Sequence, residues 1–143
     1  TGFIFGPGGR NFLSTVVDRA RRGETLKVIG DAWGTPTYSR DLAVRLRELA
    51  ELQLPGVFHV VNAGAGATFE QFTKFALKAL GDTGARLETV KMASLKRPAP
   101  RPVNSRLDCL LSPAIGLAPL PSWQNALLNF IASQQPDKTA APA

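Results

Sequence analysis

Short apolar runs, each closed by glycine or proline and followed by a stretch of helical periodicity, constrain this chain more than any other feature. Residues 2–5 (Gly-Phe-Ile-Phe) read as a short buried strand, closed by the turn Gly6-Pro7-Gly8-Gly9. Phe12, Leu13, Val16, Val17 and Ala20 then recur at helical spacing from Asn11 to Arg22, and Gly23 stops that helix. Residues 26–29 form a second strand and residues 30–37 a loop. Residues 39–52 form a helix with Leu42, Leu46 and Leu49 on one face. Val57-Phe58-His59-Val60-Val61-Asn62 is the strongest strand signal, and its unbroken apolar character suits a central parallel strand.

Gly64 and Gly66 mark a turn. Thr68, with Gln71 three residues on, has the form of a capping box for a helix running to Leu80, where Gly81 ends it. Residues 87–90 read as a strand, residues 93–104 as a proline-rich loop, and Ser112-Pro113 as the opening of a short helical turn. Ser122 caps a last helix over residues 123–133, with Leu127, Phe130 and Ile131 inward. Residues 134–143 are polar and rich in alanine and proline, and are expected to form a disordered tail.

Alternating strands and helices predict an α/β sheet with parallel pairs. The strong strands are too few for a complete doubly wound domain. Residues 2–5 and 57–61 are expected as the last two core strands of a Rossmann-like sheet, with the remaining elements of residues 1–133 forming a small α/β lobe against them. A chain of 143 residues buries about 68% of its extended surface, enough for one core.

Charge and cysteine content exclude several classes. The net charge of +6 favours anionic partners, but the 17 basic residues are dispersed, with no dense or aromatic-interleaved run of the kind nucleic acid requires. No apolar run reaches the ~18 residues of a membrane span, and no signal peptide is visible. Cys109 is the only cysteine, so no internal disulfide can form, and a lone thiol suits a reducing, cytoplasmic setting. His59 is the only histidine, and no pattern ties it to Cys109. The chain opens on Thr1 in a strand-like run with no initiator methionine, from which a fragment is expected.

Three segments carry chemistry in their order and separation: Gly6-Pro7-Gly8-Gly9-Arg10-Asn11-Phe12, Gly30-Asp31-Ala32-Trp33-Gly34-Thr35-Pro36-Thr37, and Arg101-Pro102-Val103-Asn104-Ser105 followed by Leu107-Asp108. Together they resemble the C-terminal, substrate-binding half of the dTDP-4-dehydrorhamnose reductases, extended short-chain dehydrogenase/reductases. The resemblance runs from Phe3 to about Ile131.

It implies a sugar-nucleotide pocket. Phe3 stands where the family commonly has a tryptophan against the sugar ring. Asn11 and Phe12 match its Asn-Phe pair, with the asparagine near the substrate diphosphate, although Asn11 also reads as a helix N-cap. Thr35 falls in the Gly-Xaa-Pro-Thr loop, where Ala32 replaces the usual glutamine. Arg101 and Asn104 match the segment whose arginine faces the diphosphate, and a guanidinium fork suits two phosphate oxygens. Trp33 either lids the pocket or packs in the core, with packing favoured. Asp41 reads as structural, and Trp123 as core.

The resemblance implies NADPH or NADH for the complete enzyme. No cofactor is expected on this chain alone, because it has no Tyr-Xaa-Xaa-Xaa-Lys pair: its only tyrosine, Tyr38, is followed four residues later by Leu42. The expected partners are a dTDP-sugar, an N-terminal cofactor-binding half, and a second copy of the chain. Two other readings share the fold. One is a non-catalytic regulatory subunit similar to the methionine adenosyltransferase β-subunit, which has an Arg-Pro-Xaa-Asn and Leu-Asp-Cys segment. The other is a portion of a nucleotide-sugar epimerase or dehydratase.

Overall fold

The computed structural model describes residues 1–82 and 84–134. Along the chain these form β1 (Ile4–Phe5), α1 (Phe12–Arg21), β2 (Leu26–Ile29), β3 (Trp33–Gly34), β4 (Thr37–Tyr38), α2 (Ser39–Leu52), β5 (Ala67–Thr68), α3 (Phe69–Ala79) and β6 (Leu87–Val90). A 3-10 turn (Met92–Ser94), α4 (Leu111–Ala114) and α5 (Trp123–Ser133) complete the order. Residues 135–143, nearly all of the expected tail, lie outside the described residues.

The fold is α/β, built from three strand pairs rather than one sheet. β1 pairs with β4 and β2 with β6, both parallel, while β3 pairs with β5 antiparallel. α3 sits at the centre. Phe72 and Ala76 on it join Phe5, Tyr38, Trp123 and Leu127 in the main core. Its Leu77 packs with Val16, Leu26 and Val28 in a second cluster. Local chemistry sets the helix starts. Asn11 and Thr68 each accept the N–H three residues on, from Ser14 and Gln71, and those residues' side chains cap the Asn11 and Thr68 N–H groups in return.

Residues 57–62 are not a strand. Among the described residues nothing ladders with them, and Val57 is 82% exposed. An apolar run becomes a parallel strand only when neighbours accept and donate along its edges. Here Val61 instead meets the thiol of Cys109, its N–H at 3.4 Å and its carbonyl at 3.6 Å from Sγ. The strand expected over residues 2–5 is shortened to two residues, because Phe3 adopts a left-handed φ of 50° that no strand accommodates.

The expected inward face of α2 also shifts. Leu46 is 53% exposed, and Arg45 beside it is 5% exposed. The Arg45 guanidinium donates to Glu48 at 2.7 Å and to the Ala118 carbonyl, so α2 seats a polar clamp against the segment leading to α5. The loop expected over residues 30–37 contains β3, and its end begins β4.

Candidate functional site

Gly34 and Thr35 lie at the meeting point of β3, the start of β1 and the segment 103–107. Trp33 N–H donates to Val103 O at 2.8 Å, and Ser105 N–H donates to Trp33 O at 2.9 Å, so this segment runs beside β3. Thr35 fastens its far end: the buried hydroxyl accepts Leu107 N–H at 3.1 Å and donates to Leu107 O at 3.3 Å. Between these pieces opens a cavity of about 400 Å³, lined by Phe3, Gly34, Thr35, Val61, Asn104, Ser105, Arg106 and Leu107 with the chain start. That volume is in the range of small-molecule sites.

Two features set the positions of wall residues. The left-handed φ of Phe3 turns its ring onto Phe69 and Phe72, with centroids 4.6 and 4.9 Å away, so it lies in the wall instead of filling the space. Gly66, at φ 77°, permits close approach on the other side of β3: a Cβ there would stand 2.5 Å from Gly34 O and 2.8 Å from Arg106 Cδ.

Of the residues singled out from sequence, Phe3, Thr35 and Asn104 come together in this cavity. Phe12 stands behind it, edge-on to Phe3 with centroids 5.7 Å apart. Asn11 lies elsewhere, beside a separate depression with Gly6, Ser14 and Arg21. Its side chain accepts Ser14 N–H at 3.0 Å and donates to Gly6 O and Gly9 O at 3.0 and 3.3 Å, so it is fully used in capping. Arg101 is exposed, outside the cavity lining, and holds no hydrogen bond or ion pair among the described residues.

Arg106 is the site residue that sequence reasoning missed. Its guanidinium lies 5.1 Å from the centroid of the Trp33 ring. Nε donates to Asn104 Oδ1 at 3.0 Å, and Nη1 donates to Ala65 O at 3.2 Å. Among the described residues it is the only charged side chain in the cavity wall, and none of them places a carboxylate there. Trp33 thus neither lids the pocket nor packs deep in the core. It is half-buried beneath the guanidinium.

The turn Gly6-Pro7-Gly8-Gly9 does not fit a dinucleotide pyrophosphate. Pro7 has no N–H to offer, and the Asn11 amide, donating to the Gly6 and Gly9 carbonyls, ties the turn to the start of α1. A Cβ at Gly6 would stand 2.0 Å from the Ser39 hydroxyl, so that glycine serves contact with the start of α2. Tyr38 is buried with its ring stacked on Phe5 at 5.6 Å, away from the cavity lining. Among the described residues no cluster of side chains could hold a metal ion, and no helix is long and apolar enough to cross a membrane.

Such an arrangement, an α/β lobe around a cavity walled by phenylalanine, amide, hydroxyl and one guanidinium, has the make-up of a small-molecule binding domain. Residues 1–135 match the family model described as the RmlD substrate binding domain, and the chain belongs to that family. A dTDP-4-dehydrorhamnose reductase of Streptomyces griseus is 35% identical over 132 residues, covering 89% of this chain and 43% of that protein. A probable dTDP-4,6-dihydroxy-2-methyloxan-3-one 4-ketoreductase of Streptomyces antibioticus is 34% identical, again over 89% of this chain and 43% of its own length. The crystal structure of dTDP-4-dehydrorhamnose reductase from Bacillus anthracis in complex with NADP superposes with a TM-score of 0.84 at 26% identity, covering 93% of this chain and 46% of that one. The chain therefore spans less than half the length of these relatives.

Proposed function

We propose that this chain is the sugar-nucleotide-binding portion of an NAD(P)H-dependent reductase acting on dTDP-4-dehydrorhamnose or a closely similar dTDP-4-keto sugar. One observation carries the reading: Phe3, Thr35 and Asn104, distant in sequence, line a single cavity in a chain whose family is defined by substrate binding. Phe3 offers a flat apolar wall for a sugar ring, Thr35 holds the segment that bears Asn104, and Asn104 offers an amide. Phe12 supports Phe3 from behind. Arg101 contributes positive charge from the exposed rim, and Asn11 orders the turn before α1.

The nicotinamide cofactor and the proton donor belong to sequence that corresponds to the rest of the relatives' length. The chain binds a dTDP-sugar and does not reduce it by itself. Its single cysteine and the anionic ligand suit a cytoplasmic setting. Affinity for the isolated chain is weak and salt-sensitive, since charge-assisted contacts at an exposed site are screened. Calorimetric titration of the chain with dTDP tests the reading. A measurable affinity that falls with added salt is expected, and the absence of any binding at low ionic strength would overturn it.

A further inference from the structure

We propose that Cys109 is a modification site: it exchanges with small aminothiol disulfides and holds the aminothiol, as a mixed disulfide, in a second cavity of the fold. The inference stands apart from the sugar-nucleotide reading.

Three observations carry it. First, the thiol is within reach. Cys109 is partly exposed, and it lines a cavity of about 250 Å³ with Val61, Asp108, Ser112, Pro119 and Leu120 among its neighbours. That volume lies below the ~300 Å³ at which sites for drug-sized molecules begin, and it suits an arm of a few heavy atoms. Second, the cavity holds a polar group with nothing to bind. Ser112 is 2% exposed, yet its hydroxyl forms no hydrogen bond among the described residues, where a buried hydroxyl ordinarily finds a partner. Its N–H donates to Cys109 O at 3.3 Å, so the two residues stand one turn apart at the entry to α4. Third, the lining carries charge of one sign. Asp108 supplies a carboxylate, and no lysine, arginine or histidine among the described residues lines the space. One Asp108 oxygen accepts Cys109 N–H at 2.8 Å, which leaves the other for a ligand. An ammonium group has only donors to offer, and both that oxygen and the Ser112 hydroxyl accept.

The Cys109 thiolate attacks one sulfur of the disulfide. The reagent's S–S bond breaks and a new one forms to Cys109 Sγ. The other half leaves as a thiolate and takes up the proton that Cys109 gave. Cys109 is oxidised and the departing half is reduced, so no further oxidant enters. In the adduct Sγ has no proton to direct at Val61 O, 3.6 Å away. Val61 and Leu107 also line the larger cavity, so the adduct lies behind the wall of that site.

The test uses the full chain and two disulfides with arms of equal length, cystamine with ammonium ends and dithiodipropionate with carboxylate ends. Adduct formation is followed by intact mass at one pH, on the folded chain and in urea. Cystamine should label the folded chain within about tenfold of its rate in urea. A thiol reached only through unfolding would react about a thousandfold slower or more. The preference of the folded chain for cystamine over dithiodipropionate should exceed the preference in urea by about threefold, the size of an exposed charge pair. Asp108→Asn keeps the acceptor for Cys109 N–H, Ser112→Ala removes only the hydroxyl, and each should lower that preference.

Cystamine labelling slowed more than about tenfold by folding overturns the proposal. So does a folded-chain preference no greater than that in urea, the result expected if the net charge of +6 governed the approach of the reagent. A preference left unchanged by either variant overturns it too, since the selectivity would then lie elsewhere. None of these results bears on dTDP binding, which calorimetry tests separately.

Discussion

Asn62 Oδ1 accepts the backbone N–H of Tyr38 at 2.7 Å, and this buried bond ties the segment 57–62 to the start of α2. The same side chain donates from Nδ2 to Asp41 Oδ2 at 2.7 Å and to Pro121 O at 3.0 Å. One amide thus joins β4, the first turn of α2, and the approach to α5. With 1% exposure it has no water to fall back on.

Asn62→Ala should therefore destabilise the chain by about 2–4 kcal/mol, because it strands buried donors and acceptors on three elements. Asn62→Asp is the sharper probe. It keeps the acceptor for Tyr38 N–H but removes both donors and sets a second carboxylate against Asp41. Its deficit should be largest at neutral pH and shrink as acid protonates the pair. A urea midpoint for Asn62→Ala equal to the wild type would contradict this account.

Glu70 gives the clearest pH dependence. On the first turn of α3 it accepts Lys74 Nζ at 2.6 Å and the Thr89 hydroxyl at 2.9 Å, linking that helix to β6. The Lys74 ammonium and then the Thr89 hydroxyl hold its carboxyl below the ordinary 4.5. A carboxylate whose folded value is lowered stabilises the fold above its ordinary value, and that contribution disappears as pH falls through the folded value. Glu70→Gln should cost about 1 kcal/mol at neutral pH and nothing once both forms are neutral. Acid titrations of thermal stability for the two proteins should converge below pH 4.5.

Sequence made some of this architecture legible and hid the rest for identifiable reasons. The helix starts at Asn11 and Thr68 were readable because an N-cap and its reciprocating residue lie within one turn. The runs at residues 26–29 and 87–90 were readable as strands, although not as each other's partners. The run at residues 57–62 misled because apolar character reports burial, and three of its residues are buried, while strand formation needs a neighbouring edge. Arg45 was invisible as a buried residue because its partner, Ala118, lies 73 positions away. In the site, motif order marked the wall residues Phe3, Thr35 and Asn104. It did not separate Arg101 from Arg106, since only the pairing of the segment with β3 brings Arg106 over Trp33.

The isolated chain should show no reductase activity. Its only tyrosine is buried against Phe5, no lysine stands four residues beyond it, and the glycine turn before α1 does not fit a pyrophosphate. Residues 1–143, purified to a single mass, should leave NADPH unoxidised in the presence of a dTDP-4-keto sugar. Oxidation of NADPH that depends on the sugar nucleotide would refute the division of labour proposed for this family member.

Association is the last expectation, and it follows from the segment that failed to become a strand. Among the described residues no strand pairs with residues 57–62, and apart from Val61, which meets Cys109, their backbone groups find no partner there. Apolar residues in and just before this segment are uncovered as well: Leu52, Leu54 and Val57 are between 42% and 82% exposed. An open edge beside exposed aliphatic side chains recruits another strand, from a second copy of the chain or from a cofactor-binding half. Sedimentation velocity should show the isolated chain associating as its concentration rises. Val57→Lys should weaken that association without lowering the melting temperature, because Val57 contributes almost nothing to the core of its own chain. A wild-type chain that stays monomeric at high concentration, with the amides of residues 57–62 protected from hydrogen exchange, would mean that this segment closes on its own fold in solution.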